Sequence, residues 1–286
     1  MIKAVHISLI LLVASCSAPN SKLGQVEDHI RDRSLPYQIW LPTPKAESGS
    51  YPLIMISHGS GGEYSNHTWL IQSLVENGFM VAGLNHPMNT TQDNTDEGVI
   101  SVCERPRDIT VLLEHLLNES RWASLIDERR IGAAGFSSGG YTVLSLSGAI
   151  YDWKQMSDYC SGPERGRDCD LATDSSKVDF SKSSASYQDN RIKSVFAMAP
   201  AVGAAITKDS LNEIKIPVFI IASEDDELVS TKYGAIRYAE NIPRSPLVLL
   251  PTGGHFIFLK CNAITTVVDW FNSTLDLCVR NFSGVR

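Results

Sequence analysis

Positive charge is scarce in this chain. Its 286 residues include 25 Lys and Arg against 32 Asp and Glu, which gives a net charge of −7. Proteins that bind nucleic acid usually carry a basic face, so this balance argues against a nucleic-acid partner. In other respects the composition is that of an ordinary globular protein, with 43% hydrophobic residues, and the length is sufficient for one large core.

Long apolar runs are also missing. The stretch Ile7–Val13 follows the basic Lys3, but it is too short to cross a bilayer as a helix. Its length is typical of the apolar part of a signal peptide, which we predict over residues 1–15. The segment Val13-Ala14-Ser15-Cys16 resembles the lipobox of bacterial lipoproteins, in which the peptide is cut before a cysteine that then carries lipid.

This pattern predicts an exported protein with a lipid anchor on Cys16, located in the bacterial periplasm. Ser17 and Ala18 follow Cys16, without an aspartate. In that class of lipoproteins, the lack of an aspartate after the cysteine favours the outer membrane. The alternative is ordinary secretion, with an incidental cysteine at this position. We predict a flexible tether over residues 16–30 and a single domain over residues 31–286.

Five further cysteines follow, and none has the Cys/His spacing of a zinc site, so we expect no metal. Export makes disulfides possible. Cys160 and Cys169 are close in sequence and flank Gly and Pro residues, which favours a local disulfide. Cys261 and Cys278 bracket a predicted terminal helix and could pair, which would leave Cys103 alone. Spacing does not fix the connectivity, so these pairings are hypotheses.

Apolar runs of strand length alternate with stretches of helix length. This alternation predicts a three-layer α/β fold with a mostly parallel central sheet. Residues 151–190 interrupt it, because they are rich in Ser, Asp and Lys. We predict that they form an insertion after the helix that follows Ser137, a lid or rim over a pocket; a surface loop without a role is the alternative. The predicted strands are Tyr37–Leu41, Leu53–Ser57, Phe79–Leu84, Arg130–Ala134, Ile192–Met198, Val218–Ala222 and Leu247–Leu250, and the predicted helices are Trp69–Glu76, Asp108–Leu117, Gly140–Leu146 and Ile264–Phe271.

The segment Gly135-Phe136-Ser137-Ser138-Gly139 reads G-x-S-x-G between a predicted strand and a predicted helix. Strand, tight turn and helix are the context of a nucleophile elbow, which exposes a serine hydroxyl above the sheet edge. Glycines are needed there because a serine at a sharp turn has strained dihedrals and larger neighbours would collide with it. Ser137 is therefore the predicted nucleophile.

A serine hydroxyl needs a base to activate it, and the base needs an orienting acid. In the elbow arrangement the acid and then the histidine follow the serine along the chain. His255 is the only histidine after the elbow and follows two glycines and a predicted strand, so we predict that it is the base. The acid lies among four adjacent carboxylates at residues 224–227, where Asp226 and Asp225 are the candidates.

The negative charge that develops on a carbonyl oxygen requires two backbone donors. One predicted donor is the N–H of Ser138, the residue after the nucleophile. The other is expected in the His58-Gly59-Ser60-Gly61-Gly62 loop after an early strand, with Ser60 as the first candidate and Gly61 as the second. His58 precedes the nucleophile, and we predict that it braces this loop rather than transferring protons.

Taken together, these segments resemble one group of α/β-hydrolases, the predicted dienelactone hydrolases and the related platelet-activating factor acetylhydrolases. The resemblance covers most of the chain from about Tyr37 onward. The matching segments are His58–Gly62, Asn85-His86-Pro87, Arg105-Pro106-Arg107-Asp108, Arg130-Ile131-Gly132, the elbow with Gly140, Ala199-Pro200-Ala201 and Gly254-His255-Phe256. True dienelactone hydrolases have a cysteine nucleophile where this chain has Ser137, so the family label does not define the substrate.

The resemblance implies an α/β-hydrolase fold and hydrolysis of carboxylic esters through an acyl-serine intermediate, without a cofactor. Related hydrolases carry a G-x-x-D pattern after the strand that precedes the acid. Placing Ser223 at the glycine puts Asp226 at the aspartate, so Asp226 is preferred, although serine departs from the pattern. The resemblance also implies that residues 85–89 form a loop near the pocket mouth, with a purely structural role as the alternative.

The expected partner is a small-molecule or lipid ester. One alternative function is a lipase or phospholipase A2-like acyl hydrolase of the cell envelope, which the insertion and a lipid anchor would suit. The other is a non-catalytic binding protein, because a fold alone does not prove activity. Such a protein would have a broken triad, whereas every triad position here has a candidate.

Overall fold

The computed structural model describes residues 20–42, 49–259 and 266–282, and from residue 276 onward it describes only the backbone. The predicted signal peptide, the lipid site at Cys16 and the side chains of the predicted Cys261–Cys278 disulfide lie outside the described part of the chain. Those predictions stay predictions. None of the helices described is long and apolar enough to span a membrane.

One eight-stranded sheet occupies the centre of the molecule, with the strand order β1-β2-β4-β3-β5-β6-β7-β8. Strands β3 to β8 are mutually parallel, whereas β2 is antiparallel to both β1 and β4. The strands are β1 (Asn20–Asp28), β2 (Arg33–Leu41), β3 (Tyr51–Ser57), β4 (Met80–Leu84), β5 (Ile126–Phe136), β6 (Ser194–Met198), β7 (Val218–Ser223) and β8 (Leu247–Leu250).

Helices cover both faces of the sheet. The α-helices are α1 (Thr68–Glu76), α2 (Asp96–Ile100), α3 (Glu104–Asn118), α4 (Ser120–Ala123), α5 (Ser138–Ser147), α6 (Trp153–Ser161), α7 (Lys208–Asn212), α8 (Arg237–Asn241) and α9 (Thr266–Phe282). Their apolar faces and the sheet form two buried clusters, one containing α3 and α5 side chains and the other containing α1 and α9 side chains.

The central strands contribute to both clusters. In β3, Leu53 and Met55 belong to one cluster, whereas Ile54 and Ile56 belong to the other, since alternate side chains of a strand point to opposite faces. A strand covered on both sides reads as a continuous apolar run, which is the signal that predicted it. The predicted three-layer α/β fold with a mostly parallel sheet is confirmed.

The prediction of a flexible tether over residues 16–30 is wrong from Asn20 onward, because β1 pairs antiparallel with β2 along its whole length. Most side chains of β1 are exposed or half-buried, so no apolar alternation marks the strand in the sequence. Backbone hydrogen bonds to β2 hold it instead. At its end, the buried Asp28 forms an ion pair with Arg31 in the following turn.

The insertion at residues 151–190 follows α5, as predicted, and contains α6 and two short 3-10 turns. The predicted disulfide between Cys160 and Cys169 is present and joins the end of α6 to the first of these turns. Cys103 is free and buried, and burial raises the pKa of its thiol to about 11, which makes it unreactive at neutral pH.

Candidate active site

The elbow at Ser137 has the backbone conformation that the G-x-S-x-G motif predicts. Ser137 lies between β5 and α5 with φ 56° and ψ −119°, a left-handed φ that is costly for any residue but glycine. A Cβ at Gly135 would lie 2.1 Å from the carbonyl oxygen of Gly139, and a Cβ at Gly139 would lie 2.0 Å from that of Ser57. Both positions therefore require glycine.

The structure brings three side chains together at this elbow. His255 Nε2 lies 3.0 Å from Ser137 Oγ, and His255 Nδ1 lies 2.7 Å from Asp226 Oδ2. A carboxylate only accepts hydrogen bonds, so Nδ1 carries the proton and Nε2 is free to accept the serine proton. The His255 side chain is 1% exposed, which keeps this hydrogen-bond chain away from bulk water.

Hydrogen bonds distinguish Asp226 from the neighbouring Asp225. Asp226 Oδ1 accepts hydrogen bonds from the backbone N–H groups of Leu228 and Val229 at 3.0 and 2.8 Å, which orients its second oxygen toward His255. Asp225 instead accepts from Ser223 Oγ and from the N–H of Gly254, and these hydrogen bonds, with the Ser223 bond first, lower its pKa. The structure thus places Asp226, and not Asp225, against the imidazole, and it gives Ser223 a role in holding the loop.

The predicted backbone donors lie beside the serine. Ser138 is the first residue of α5, where a helix leaves its backbone N–H groups without intrahelical partners. Ser60 follows β3 and lines a cavity of about 140 Å³ together with Ser137 and His255. Of the two candidates described in this loop, Ser60 lines that cavity and Gly61 does not. Two N–H groups at these positions can hold an oxyanion.

Arg105 holds the loop that carries Ser60, and its side chain is almost wholly buried. Its Nη2 donates to the carbonyl oxygen of His58, and its Nη1 donates to Asn89 Oδ1 at 2.6 Å. Asn89 Nδ2 in turn donates to Ser60 Oγ at 2.8 Å. Burial lowers the pKa of Arg105 to about 9, so it remains charged at neutral pH.

His58 braces the same loop, in agreement with its predicted role. Its Nε2 accepts a hydrogen bond from the backbone N–H of His86 at 3.1 Å, so its Nδ1 carries the proton that it donates to the Gly59 carbonyl oxygen at 2.7 Å. Burial, followed by the positive charge of Arg105, lowers the pKa of His58 well below its ordinary value. The ring is therefore neutral and serves as a structural group.

Residues 85–89 were expected to form either a loop near the pocket mouth or a purely structural loop. At His86 the structure shows the structural role. This side chain is fully buried, and its Nδ1 lies 2.9 Å from Asp108 Oδ2. Its Nε2 lies 3.0 Å from Ser57 Oγ. Arg33 donates two hydrogen bonds to the Asp108 carboxylate, at 2.9 and 2.8 Å. This buried group of charges supports the end of β3.

Sequence reasoning did not assign a role to Arg105 or Asp108, although a signal was present. Both residues lie on the face of α3 that also carries Ile109, Leu112 and Leu116, all buried. Charged residues on the apolar face of a helix are almost never buried without partners. Their position therefore indicates an internal ion pair or hydrogen-bond network.

A larger cavity of about 520 Å³ also has Ser137 in its lining and is lined in good part by the insertion. It includes Asp168, whose pKa is raised to about 6, first by burial and then by the nearby Asp226 charge. Within the described ranges, no group of three or more His, Cys, Asp or Glu side chains could hold a metal ion.

The sheet, the helices on both of its faces and the serine elbow give the chain an α/β-hydrolase-like arrangement. No protein-family model matches the chain. The chain is similar to Lipase 1 of Moraxella sp. (strain TA144), with 25% identity over 219 residues. The match covers 76% of this chain and 52% of the lipase, so the chain spans about half the length of that relative. The similarity and the fold support a hydrolase, and the narrower dienelactone hydrolase resemblance stays a prediction.

Proposed function

We propose that the protein is a serine hydrolase that cleaves carboxylic esters through an acyl-serine intermediate. The hydrogen-bond chain from Ser137 through His255 to Asp226, with distances of 3.0 and 2.7 Å, carries this proposal. Its members follow three different strands, in the chain order serine, acid, histidine. Triad chemistry requires that these three side chains come within hydrogen-bond distance of one another. The similarity to a lipase supports an ester as the substrate.

The proposed reaction has two halves. Ser137 Oγ attacks the ester carbonyl carbon while its proton moves to His255 Nε2, and Asp226 stabilises the imidazolium. The N–H groups of Ser138 and Ser60 hold the oxyanion until His255 gives the proton to the alcohol oxygen and the ester C–O bond breaks. Water then attacks the acyl-serine carbonyl, with its proton passing through His255 back to Ser137 Oγ, and the acid leaves.

A second candidate is a lipase or phospholipase A2-like acyl hydrolase. The name of the relative, Lipase 1, favours it, and a lipid anchor on Cys16 would hold such an enzyme at an envelope membrane. Under either candidate we propose export to the periplasm or outer membrane as a lipoprotein, with secretion as the alternative. A non-catalytic binding protein is the remaining proposal.

Turnover of p-nitrophenyl butyrate by the wild type and by Ser137→Ala tests the proposal. We expect the variant to lose at least about 10³-fold in kcat, because a triad nucleophile acts together with its base. Ser184→Ala, a change at an exposed serine of the insertion, should retain the wild-type rate. Equal rates for the wild type and Ser137→Ala, or failure of a fluorophosphonate to label the wild type, would contradict the proposal.

A further inference from the structure

We propose that the two cavities at Ser137 divide the ester unequally, so that the enzyme prefers esters of a medium-sized acid with a small alcohol. This inference rests on the proposed function. Ser137 lines both cavities, and Val99 and Leu171 also line both, so these two side chains form the boundary between them. The ester carbonyl must lie at this junction, because the attacking oxygen is there.

The position of His255 decides which cavity receives which part of the ester. The alcohol oxygen must come within reach of His255 Nε2, because that nitrogen supplies its proton. His255 and Phe256 line the smaller cavity, whereas the described lining of the larger cavity does not include the histidine. The two proposed oxyanion donors lie one in each lining, Ser138 in the larger cavity and Ser60 in the smaller, so the carbonyl oxygen lies at the junction and the position of His255 decides the direction. The alcohol therefore extends into the smaller cavity and the acyl group into the larger one.

The two volumes differ almost fourfold, about 520 Å³ against about 140 Å³. Ligand pockets in proteins usually measure about 300–1,000 Å³, so the larger cavity can enclose an acyl chain of several carbons. The smaller cavity lies below this range and suits a methyl or ethyl group. Phe136 and Leu228 also line it, and its volume leaves no room for a longer alcohol chain, which would have to extend out of the cavity.

The insertion provides the apolar wall that would contact the acyl chain. Tyr151, Trp153 and Met156 line the larger cavity from this segment, and Val102 and Val229 line it from the rest of the domain. Each methylene group buried against such a wall improves binding by roughly fourfold. No comparable gain is available to an alcohol chain that protrudes from the smaller cavity.

A pair of isomeric esters tests this inference directly. Methyl octanoate and heptyl acetate have the same atoms, but the long chain belongs to the acid in one and to the alcohol in the other. We expect kcat/KM, measured by titration of the released acid, to be at least about tenfold higher for methyl octanoate. Equal values, or a preference for heptyl acetate, would overturn the inference and leave the proposed function intact.

The remaining outcomes are also distinguishable. Turnover of p-nitrophenyl acetate without turnover of either isomer would overturn the inference alone. Failure to hydrolyse any ester, together with failure of fluorophosphonate labelling, would overturn the proposed function and the inference with it.

A variant pair checks that the larger cavity is the acyl site. Ser157 lines that cavity from an exposed position on α6, so Ser157→Trp should fill it without disturbing the core. We expect the ratio of kcat/KM for methyl octanoate to that for methyl acetate to fall at least tenfold. This ratio does not depend on how much protein is folded. Lys154→Trp, on the same helix but outside the cavity lining, should leave the ratio unchanged, and an unchanged ratio in Ser157→Trp would count against the assignment.

Discussion

At the scale of the residue, Arg105 is the side chain that holds the loop carrying Ser60, the proposed second oxyanion donor. It bonds the carbonyl oxygen of His58 directly and reaches Ser60 through Asn89. It touches neither the serine nor the histidine of the triad in any described hydrogen bond, so it is a positioning residue. Its influence on the proposed reaction acts through the placement of the Ser60 N–H, which matters most when charge develops on the carbonyl oxygen.

Replacing Arg105 by lysine should therefore lower kcat by roughly 10- to 100-fold with little change in KM, since removal of a whole oxyanion donor costs about 10²–10³. Lysine has a single donor nitrogen and cannot form the planar set of bonds that a guanidinium forms. Arg107→Lys, at an arginine of the same helix that bonds only the Glu104 carboxylate among the hydrogen bonds described, is the matched control. A change in KM alone, or equal kcat values for the two variants, would show that Arg105 has no positioning role.

Some residue assignments could be predicted from sequence and others could not. The elbow motif identified Ser137 as the candidate nucleophile. His255 was the candidate base because it is the single histidine downstream of the elbow. The acid was harder, because four carboxylates stand in a row at residues 224–227. The hydrogen bonds of the folded loop distinguish them: backbone N–H groups hold Asp226 Oδ1 so that its other oxygen faces the ring, whereas Asp225 is bonded to Ser223 and Gly254.

At the scale of the element, the Cys160–Cys169 disulfide closes a short loop within the insertion. Both cysteines line the larger cavity, so the crosslink fixes the wall that the acyl chain would contact. In the chain-entropy description, a loop of this length stabilises the ordered segment by about 2.5 kcal/mol. The insertion has few buried residues, so it has little else to hold it.

The double variant Cys160→Ser with Cys169→Ser should loosen the insertion locally. We expect trypsin to cut at the exposed Arg165 and Arg167 at least several-fold faster than in the wild type, while the main unfolding transition of the sheet moves little. Cys103→Ala, which removes the free thiol and no crosslink, should leave the cutting rate unchanged. Equal cutting rates with and without the disulfide would mean that the crosslink does not order this segment.

The elements that could be predicted from sequence are those whose buried side chains produce a recognisable pattern of apolar residues. The parallel strands β3 to β7 are mostly apolar runs, and each was expected within a few residues of its observed position. The polar strand β1 was missed because backbone pairing at a sheet edge needs no apolar pattern. The insertion was predicted as a lid or rim over a pocket, but the position of α6 within it could not be predicted, since that position depends on packing over the pocket rather than on local sequence.

At the scale of the whole molecule, parallel strands explain why distant residues meet. Ser60, Ser137, Asp226 and His255 each follow a different strand among β3, β5, β7 and β8. Carboxyl ends of parallel strands lie at one edge of the sheet, where ligands of open α/β folds bind. Convergence of the site could therefore be predicted once the strands were placed, whereas the two cavity volumes required the loops.

The stability of the whole molecule should depend on pH through His67. This histidine is fully buried beside Phe136, and neither ring nitrogen has a hydrogen-bond partner among the described residues. Burial lowers its pKa from 6.5 to about 4. Between these two pH values the unfolded state binds the proton and the folded state does not, so the contribution of His67 is fully present above pH 6.5 and is lost as the pH falls toward 4.

Asp168 acts in the opposite direction. Its pKa is raised from 3.8 to about 6, so between these values the folded state binds the extra proton and acidification favours folding. The pH dependence of the wild type therefore mixes both effects, along with those of the buried His58 and His86, whose pKa values are also lowered. Comparison with a variant that lacks only His67 separates its contribution.

We compare the free energies of unfolding of the wild type and of His67→Leu. We expect the wild-type value to fall by about 2 kcal/mol more than the variant value between pH 7.5 and pH 5. Urea unfolding at the two pH values measures this difference, and the other titrating groups cancel because both proteins contain them. His29→Leu, at an exposed histidine in the turn after β1, should show no such pH-dependent difference. A difference for His67→Leu that stays constant between the two pH values would mean that the pKa of His67 is the same in the folded and the unfolded protein, so that burial does not lower it.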